Sequence, residues 1–133
     1  WGIEYKRARP IAEIFEAELR RLARERGPGE ISVAVYIGHN VYNDYALDYG
    51  RYAYVWIPRY GANDGTIQGG KRPDHPCDVW QYTSNGHAPG IAGRVDLDTL
   101  MGTKPTCGST RIRAISPVLR WTWIWICSSE ISL

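Results

Sequence analysis

From Ala8 to Arg26 the apolar residues Ile11, Ile14, Phe15, Leu19 and Leu22 recur at steps of three and four, the period of a helix with one covered face. Glu13, Glu16 and Glu18 stand early and Arg20, Arg21, Arg24 and Arg26 late, so the charges complement the helix dipole. Pro10 suits only a first turn, and Gly27, Pro28 and Gly29 end the element. Residues 31–38 are β-branched and apolar on both faces, the pattern of a strand covered from both sides in a parallel sheet. Two more such strands are predicted at 53–60 and 77–83, separated by a loop, 61–76, rich in Gly, Asp, Asn and Pro. Loops of that length in a compact domain are usually functional or mobile. A turn-rich connection at 85–93 leads into a short strand at 94–98, on which Asp96 and Asp98 point the same way. A helix followed by covered strands predicts an α/β fold.

Each of the three longer strands ends in polar and aromatic groups: Tyr36 with His39 and Asn40, Trp56 with Arg59 and Tyr60, Trp80 with Gln81 and Tyr82. In a parallel barrel such ends share one face, where barrel enzymes keep their active sites. Tyr36, Arg59, Gln81 and Asp96 are therefore expected to converge on one cleft. After Gly102 the character changes, because every Tyr precedes Thr83 and the later segment holds one acid, Glu130. Its apolar run, 121–127, reads either as a strand with Trp121, Trp123 and Trp125 on one face or as a frame-shifted tail. The chain is accordingly divided into a unit at 1–102 and a tail at 103–133 with no function assigned.

The length, 133 residues, is that of one domain, and 44% hydrophobic residues suffice for a packed core. A net charge of +2 gives no excess that points to nucleic acid or an anionic membrane as partner. No apolar run is long enough for a membrane span, and no signal peptide pattern is visible. Cys77, Cys107 and Cys127 fit neither a disulfide framework nor a paired zinc motif, so free thiols are expected. His39, His75 and His87 repeat no ligand spacing, and no metal or other cofactor is expected. Nine Tyr and six Trp beside one Phe bias the aromatics toward polar handles, which suit a wet sugar groove. Ordinary core and rim packing is the competing reading.

Four segments then stand in one order: Val35-Tyr36-Ile37-Gly38-His39, Trp56-Ile57-Pro58-Arg59-Tyr60-Gly61, Trp80-Gln81-Tyr82-Thr83, and Pro89-Gly90-Ile91 followed by Val95-Asp96-Leu97-Asp98. This series resembles the C-terminal half of the family 25 glycoside hydrolases, lysozymes common among phage endolysins. The resemblance implies the later strands and helices of an irregular, TIM-like (β/α) barrel. Since a whole barrel takes roughly 200 residues or more, the chain is expected to be a partial one lacking an N-terminal half-barrel. It further implies peptidoglycan glycan strands as the partner, hydrolysis of the β-1,4 bond from N-acetylmuramic acid to N-acetylglucosamine, and action on the bacterial wall after synthesis in the host cytoplasm.

The roles it implies are specific. Asp96 would stabilise charge at the reacting centre or orient the acetamido group, and Glu4 would be the general acid. Gly2 stands where the family's Asp-x-Glu motif has its Asp, which is a departure from the pattern. Tyr36, Trp56, Tyr60, Trp80 and Tyr82 would line the groove, with core packing as the alternative for Trp56 and Trp80. Arg59 and Gln81 would orient acetamido or lactyl groups. Asp98, at a position where the family usually carries Asn, would be a further substrate contact. The rival readings are a wall-binding module without turnover and a structural piece of a phage lysis or tail assembly.

Overall fold

The computed structural model describes residues 8–27, 29–102 and 123–128. Helix α1 spans Ala8–Arg26 and ends where Gly27 and Gly29 both donate their backbone N–H to the Ala23 carbonyl. Gly29 takes φ +91°, the left-handed conformation that glycine adopts without steric cost. The strands are β1 (Ile31–Tyr36), β2 (Tyr54–Pro58), β3 (Val79–Gly86), β4 (Val95–Leu100) and β5 (Trp123–Ser128), with a four-residue helix α2 (Tyr42–Tyr45) between β1 and β2. They form one sheet in the order β4-β3-β2-β1-β5. The pairs β1·β2 and β2·β3 are parallel, while β4 runs antiparallel to β3 and β5 antiparallel to β1. This is a mixed α/β fold, as the sequence pattern predicts, with a curled sheet that fits the partial barrel implied by the resemblance. Of the predicted run 121–127, residues 123–127 fall in β5, which pairs with β1; Trp121 and Thr122 lie outside the described residues.

The antiparallel direction of β4 differs from the all-parallel expectation, and it alters which residues meet. Its last residues, Asp98 to Leu100, lie level with the C-terminal ends of β1 and β2, because Leu100 pairs with Val79 and Asp98 with Gln81, while Val95 pairs with Gly86 at the end of β3. A bulge between Gln81 and Thr83 shifts the register, so Thr83 pairs with Leu97.

Side chains sort by pleat parity onto two faces of the sheet. Val33, Val35, Ile37, Val55 and Ile57 form the buried core with Ala12 and Ala23 of α1. The covered face of the helix is centred on its alanines and Glu16; of the predicted stripe, Leu19 packs on the core and Phe15 and Leu22 are half-buried, while Ile11 and Ile14 are 44% and 70% exposed. Small residues let the helix approach the sheet closely, and the isoleucines turn outward. Glu16 is buried because Arg20 and Arg51 both bond its carboxylate, Arg51 through Nε at 3.0 Å and Nη2 at 2.7 Å. Arg20 also donates to the Ile31 carbonyl at 3.1 Å, which ties the helix to the start of β1.

Candidate active site

The other face of the sheet carries the polar chemistry. Tyr36 pairs with Trp56, and two residues further along the same face Pro58 pairs with Gln81 and Gln81 with Asp98, so the groups form a staggered row across four strands. The Tyr36 hydroxyl donates to Gln81 Oε1 at 2.8 Å, and Gln81 is almost wholly buried. The Tyr36 and Trp56 rings meet edge to face with centroids 5.5 Å apart. The indole Nε1–H of Trp56 donates to Asp98 Oδ1 at 2.8 Å. Tyr60, just past β2, lies within hydrogen-bonding reach of the Tyr36 hydroxyl, and both tyrosines feel the charges of Asp96 and Asp98. Burial raises the pKa of both phenols, with those two carboxylates adding to it, so Tyr36 and Tyr60 are neutral hydrogen-bonding groups at ordinary pH.

Asp98 counts as an exposed residue by its total surface, yet its carboxyl end sits against the Trp56 indole and near the Tyr36 and Tyr60 rings. Burial of that end pushes its pKa up to about 6; the charge of Asp96 pushes the same way, and the bond from Trp56 opposes both. A carboxyl with that value still holds its proton over part of the range just below neutrality.

A cleft of about 630 Å³ adjoins this row, lined by Tyr36, Gly38, His39, Asn40, Val41, Tyr45, Pro58, Arg59 and Tyr60. Asp96 and Asp98 stand beside it, next to its Tyr36 and Tyr60 wall. Arg59 is held against that wall by Asp74 at 2.8 Å and by the Arg72 carbonyl at 2.7 Å. The Asp74 N–H donates to His39 Nε2 at 3.3 Å, which requires that nitrogen to be unprotonated. Burial and the Arg59 charge lower the His39 pKa in the same sense. His39 packs on His75 at 4.7 Å, and Tyr42 stacks on both His75 and Tyr49, which fixes the 61–76 loop over the β1 end.

The sequence-predicted site residues thus divide. Tyr36, Trp56, Gln81 and Asp98 gather in the staggered row with Tyr60 and Asp96 beside it, and Arg59 lines the adjoining cleft. Trp80 belongs to the opposite face, since it pairs with Ile57 and donates its Nε1–H to the Arg59 carbonyl at 2.9 Å. Tyr82 packs edge to face on Trp80, and a Cβ at Gly70 would fall within 3 Å of both side chains. Trp80 and Tyr82 therefore hold the 61–76 loop and do not meet Tyr36. Glu4 lies outside the described residues. His39, Asn40 and Tyr45 line the cleft but were not among the predicted contacts; the first two signal themselves as polar residues at a strand end, whereas nothing in its spacing marks Tyr45. Among the described residues, no cluster of three or more His, Cys, Asp and Glu side chains could hold a metal ion.

No family model and no curated protein matches the chain. Two solved structures do. One is a glycosyl hydrolase 25 of Streptococcus pneumoniae, described as a virulence factor participating in host cell invasion, which is 28% identical over 68% of this chain with a TM-score of 0.54. The other is the catalytic domain of an endolysin from a bacteriophage of Listeria monocytogenes, 35% identical over 50% of this chain with a TM-score of 0.45. The chain spans 37% and 31% of the lengths of these two proteins. The chain is thus similar, over about a third of each, to a glycosyl hydrolase and to an endolysin catalytic domain.

Proposed function

We propose that the chain is part of a peptidoglycan muramidase of the family 25 type, and that the row from Tyr36 to Asp98 is its glycan site. The observation that carries this reading is the meeting of Tyr36, Trp56, Gln81 and Asp98 on one sheet face, with Asp96 and Tyr60 beside them and an open cleft alongside. Aromatic rings there offer apolar faces to sugars while their polar tips bond hydroxyls. The two aspartates on β4 bring carboxylate chemistry to the same wall. The likeness to a glycosyl hydrolase 25 supports the same reaction class.

In this reading Asp96 stabilises positive charge at the anomeric carbon or orients the acetamido group, while Glu4 protonates the leaving oxygen. Arg59 and Gln81 hold acetamido or lactyl oxygens. The partner is the wall glycan, met outside the cytoplasm; no helix among the described residues is long and apolar enough to cross a membrane.

A second reading, a wall-binding module without turnover, is favoured by one feature: among the described residues, the carboxylates of the polar row both sit on β4. A turbidity assay on bacterial walls separates the two. Hydrolysis that is lost in Glu4→Gln with wall binding retained supports the acid assignment, and lysis that survives Glu4→Gln overturns it. Wall binding with no lysis by the unaltered chain selects the second reading.

A further inference from the structure

Among the described residues Asp98 has one hydrogen-bonding partner, Trp56, which engages Oδ1. Its Oδ2 is left for a proton and for a ligand. The titratable groups facing it are Asp96 from its own strand, Tyr36 from β1 and Tyr60 from the end of β2. None of them is a cation, so nothing in this set balances a negative charge on Asp98. Trp56 clamps the carboxyl in place from β2, and Gln81, its partner on β3, is itself locked to Tyr36, so the group is held in one position. A fixed carboxyl with one oxygen free and an anionic neighbour suits a neutral-acid hydrogen-bond donor.

We propose that Asp98 is a protonation-gated glycan contact: as the neutral acid it donates a hydrogen bond to an acyl oxygen of the sugar, and as the carboxylate it repels that oxygen. This inference rests on the glycan reading above and adds a pH dependence to it. The acceptor is an acetamido carbonyl or a lactyl carboxylate, both of which offer an acyl oxygen that accepts a hydrogen bond. The sign follows from the raised pKa. The donor form is populated below about pH 6 and is lost above it, so binding weakens as pH rises through that region.

The test is calorimetric titration at pH 5 and pH 8 with the peptide-free disaccharide N-acetylglucosaminyl-N-acetylmuramic acid, whose one bond is not the bond proposed to be cut. The unaltered chain is expected to bind about tenfold more tightly at pH 5, the effect of a one-unit change in a linked pKa. Asp98→Asn is expected to bind equally at the two pH values, because the amide donates at both. A step also seen with the N-acetylglucosamine dimer assigns the acceptor to an acetamido group, and a step confined to the muramic disaccharide assigns it to the lactyl group. Binding that is the same at pH 5 and pH 8, or a step that persists in Asp98→Asn, overturns the gate and leaves the glycan site standing. Absence of binding at both pH values overturns the glycan reading and the gate with it. Folding of each variant is checked by the indole N–H resonance of Trp56.

Discussion

Trp56 on β2 reaches across β3 to bond Asp98 on β4, Nε1 to Oδ1 at 2.8 Å. The strand that it crosses contributes Gln81, which pairs with Asp98 and accepts from Tyr36. One indole thus fixes both an aromatic wall and the carboxyl beside it. The bond also sets an energetic balance: it favours the charged form of Asp98, while burial and Asp96 favour the neutral one, and the neutral side wins up to about pH 6.

That balance has a consequence for stability in the absence of any ligand. A carboxyl whose pKa is raised on folding contributes most below its unfolded value near pH 4, and this contribution is lost as pH rises through the folded value near 6. Asp98→Asn is therefore expected to be more stable than the unaltered chain at pH 7.5, by about 1 kcal/mol, kept small because solvent reaches the residue. At pH 4 the two are expected to be equal. Urea unfolding at the two pH values checks this, and an equal difference at both would contradict it.

Glu16 behaves in the opposite way. Burial alone would raise its pKa, but the bonds from Arg20 and Arg51 outweigh burial and lower it. The stability it contributes is present above the unfolded value near pH 4 and is lost as pH falls through the lower folded value. Glu16→Ala is expected to cost about 1–2 kcal/mol near neutrality, since it removes charged hydrogen bonds to Arg20 and Arg51, whose guanidinium groups keep access to solvent. Thermal or urea unfolding measures the cost, and a loss under 0.5 kcal/mol (roughly the range of neutral surface changes) would show the pair to be incidental.

Several features were legible in the sequence because they depend on local pattern alone. Helix α1, the covered strands β1 to β3 and the polar residues at their ends follow from period, β-branching and turn chemistry. Two features were not, for physical reasons. Strand direction leaves no mark in a run such as Val95 to Leu100, so the antiparallel placing of β4, which brings Asp96 to the cleft, emerges only from the fold. Which face a residue takes depends on register, and Trp80 and Gln81, neighbours in the chain, point to opposite sides. The helix stripe is only partly covered for a related reason: Glu16, held by two arginines, occupies a core position that its polar side chain does not announce, and Ile11 and Ile14 turn outward instead.

Trp80 offers a test of that face assignment. It is 6% exposed and anchored to the Arg59 carbonyl, so truncation opens a cavity under the 61–76 loop. Trp80→Ala is expected to lower stability by about 3–5 kcal/mol. The affinity of the molecules that remain folded for the disaccharide is expected to change little. Titration of the folded variant showing a large loss of affinity without loss of stability would place Trp80 in the groove.

The central claim is that the face bearing Tyr36, Trp56, Gln81 and Asp98, with Asp96 at its edge, serves hydrolysis of the wall glycan. Its most direct test is to digest purified peptidoglycan, reduce the products with borohydride and identify the sugar at each new reducing end. The account predicts N-acetylmuramic acid at those ends with the unaltered chain and no new ends with Asp96→Asn. New ends carrying N-acetylglucosamine, or muramic ends formed equally well by Asp96→Asn, would contradict it.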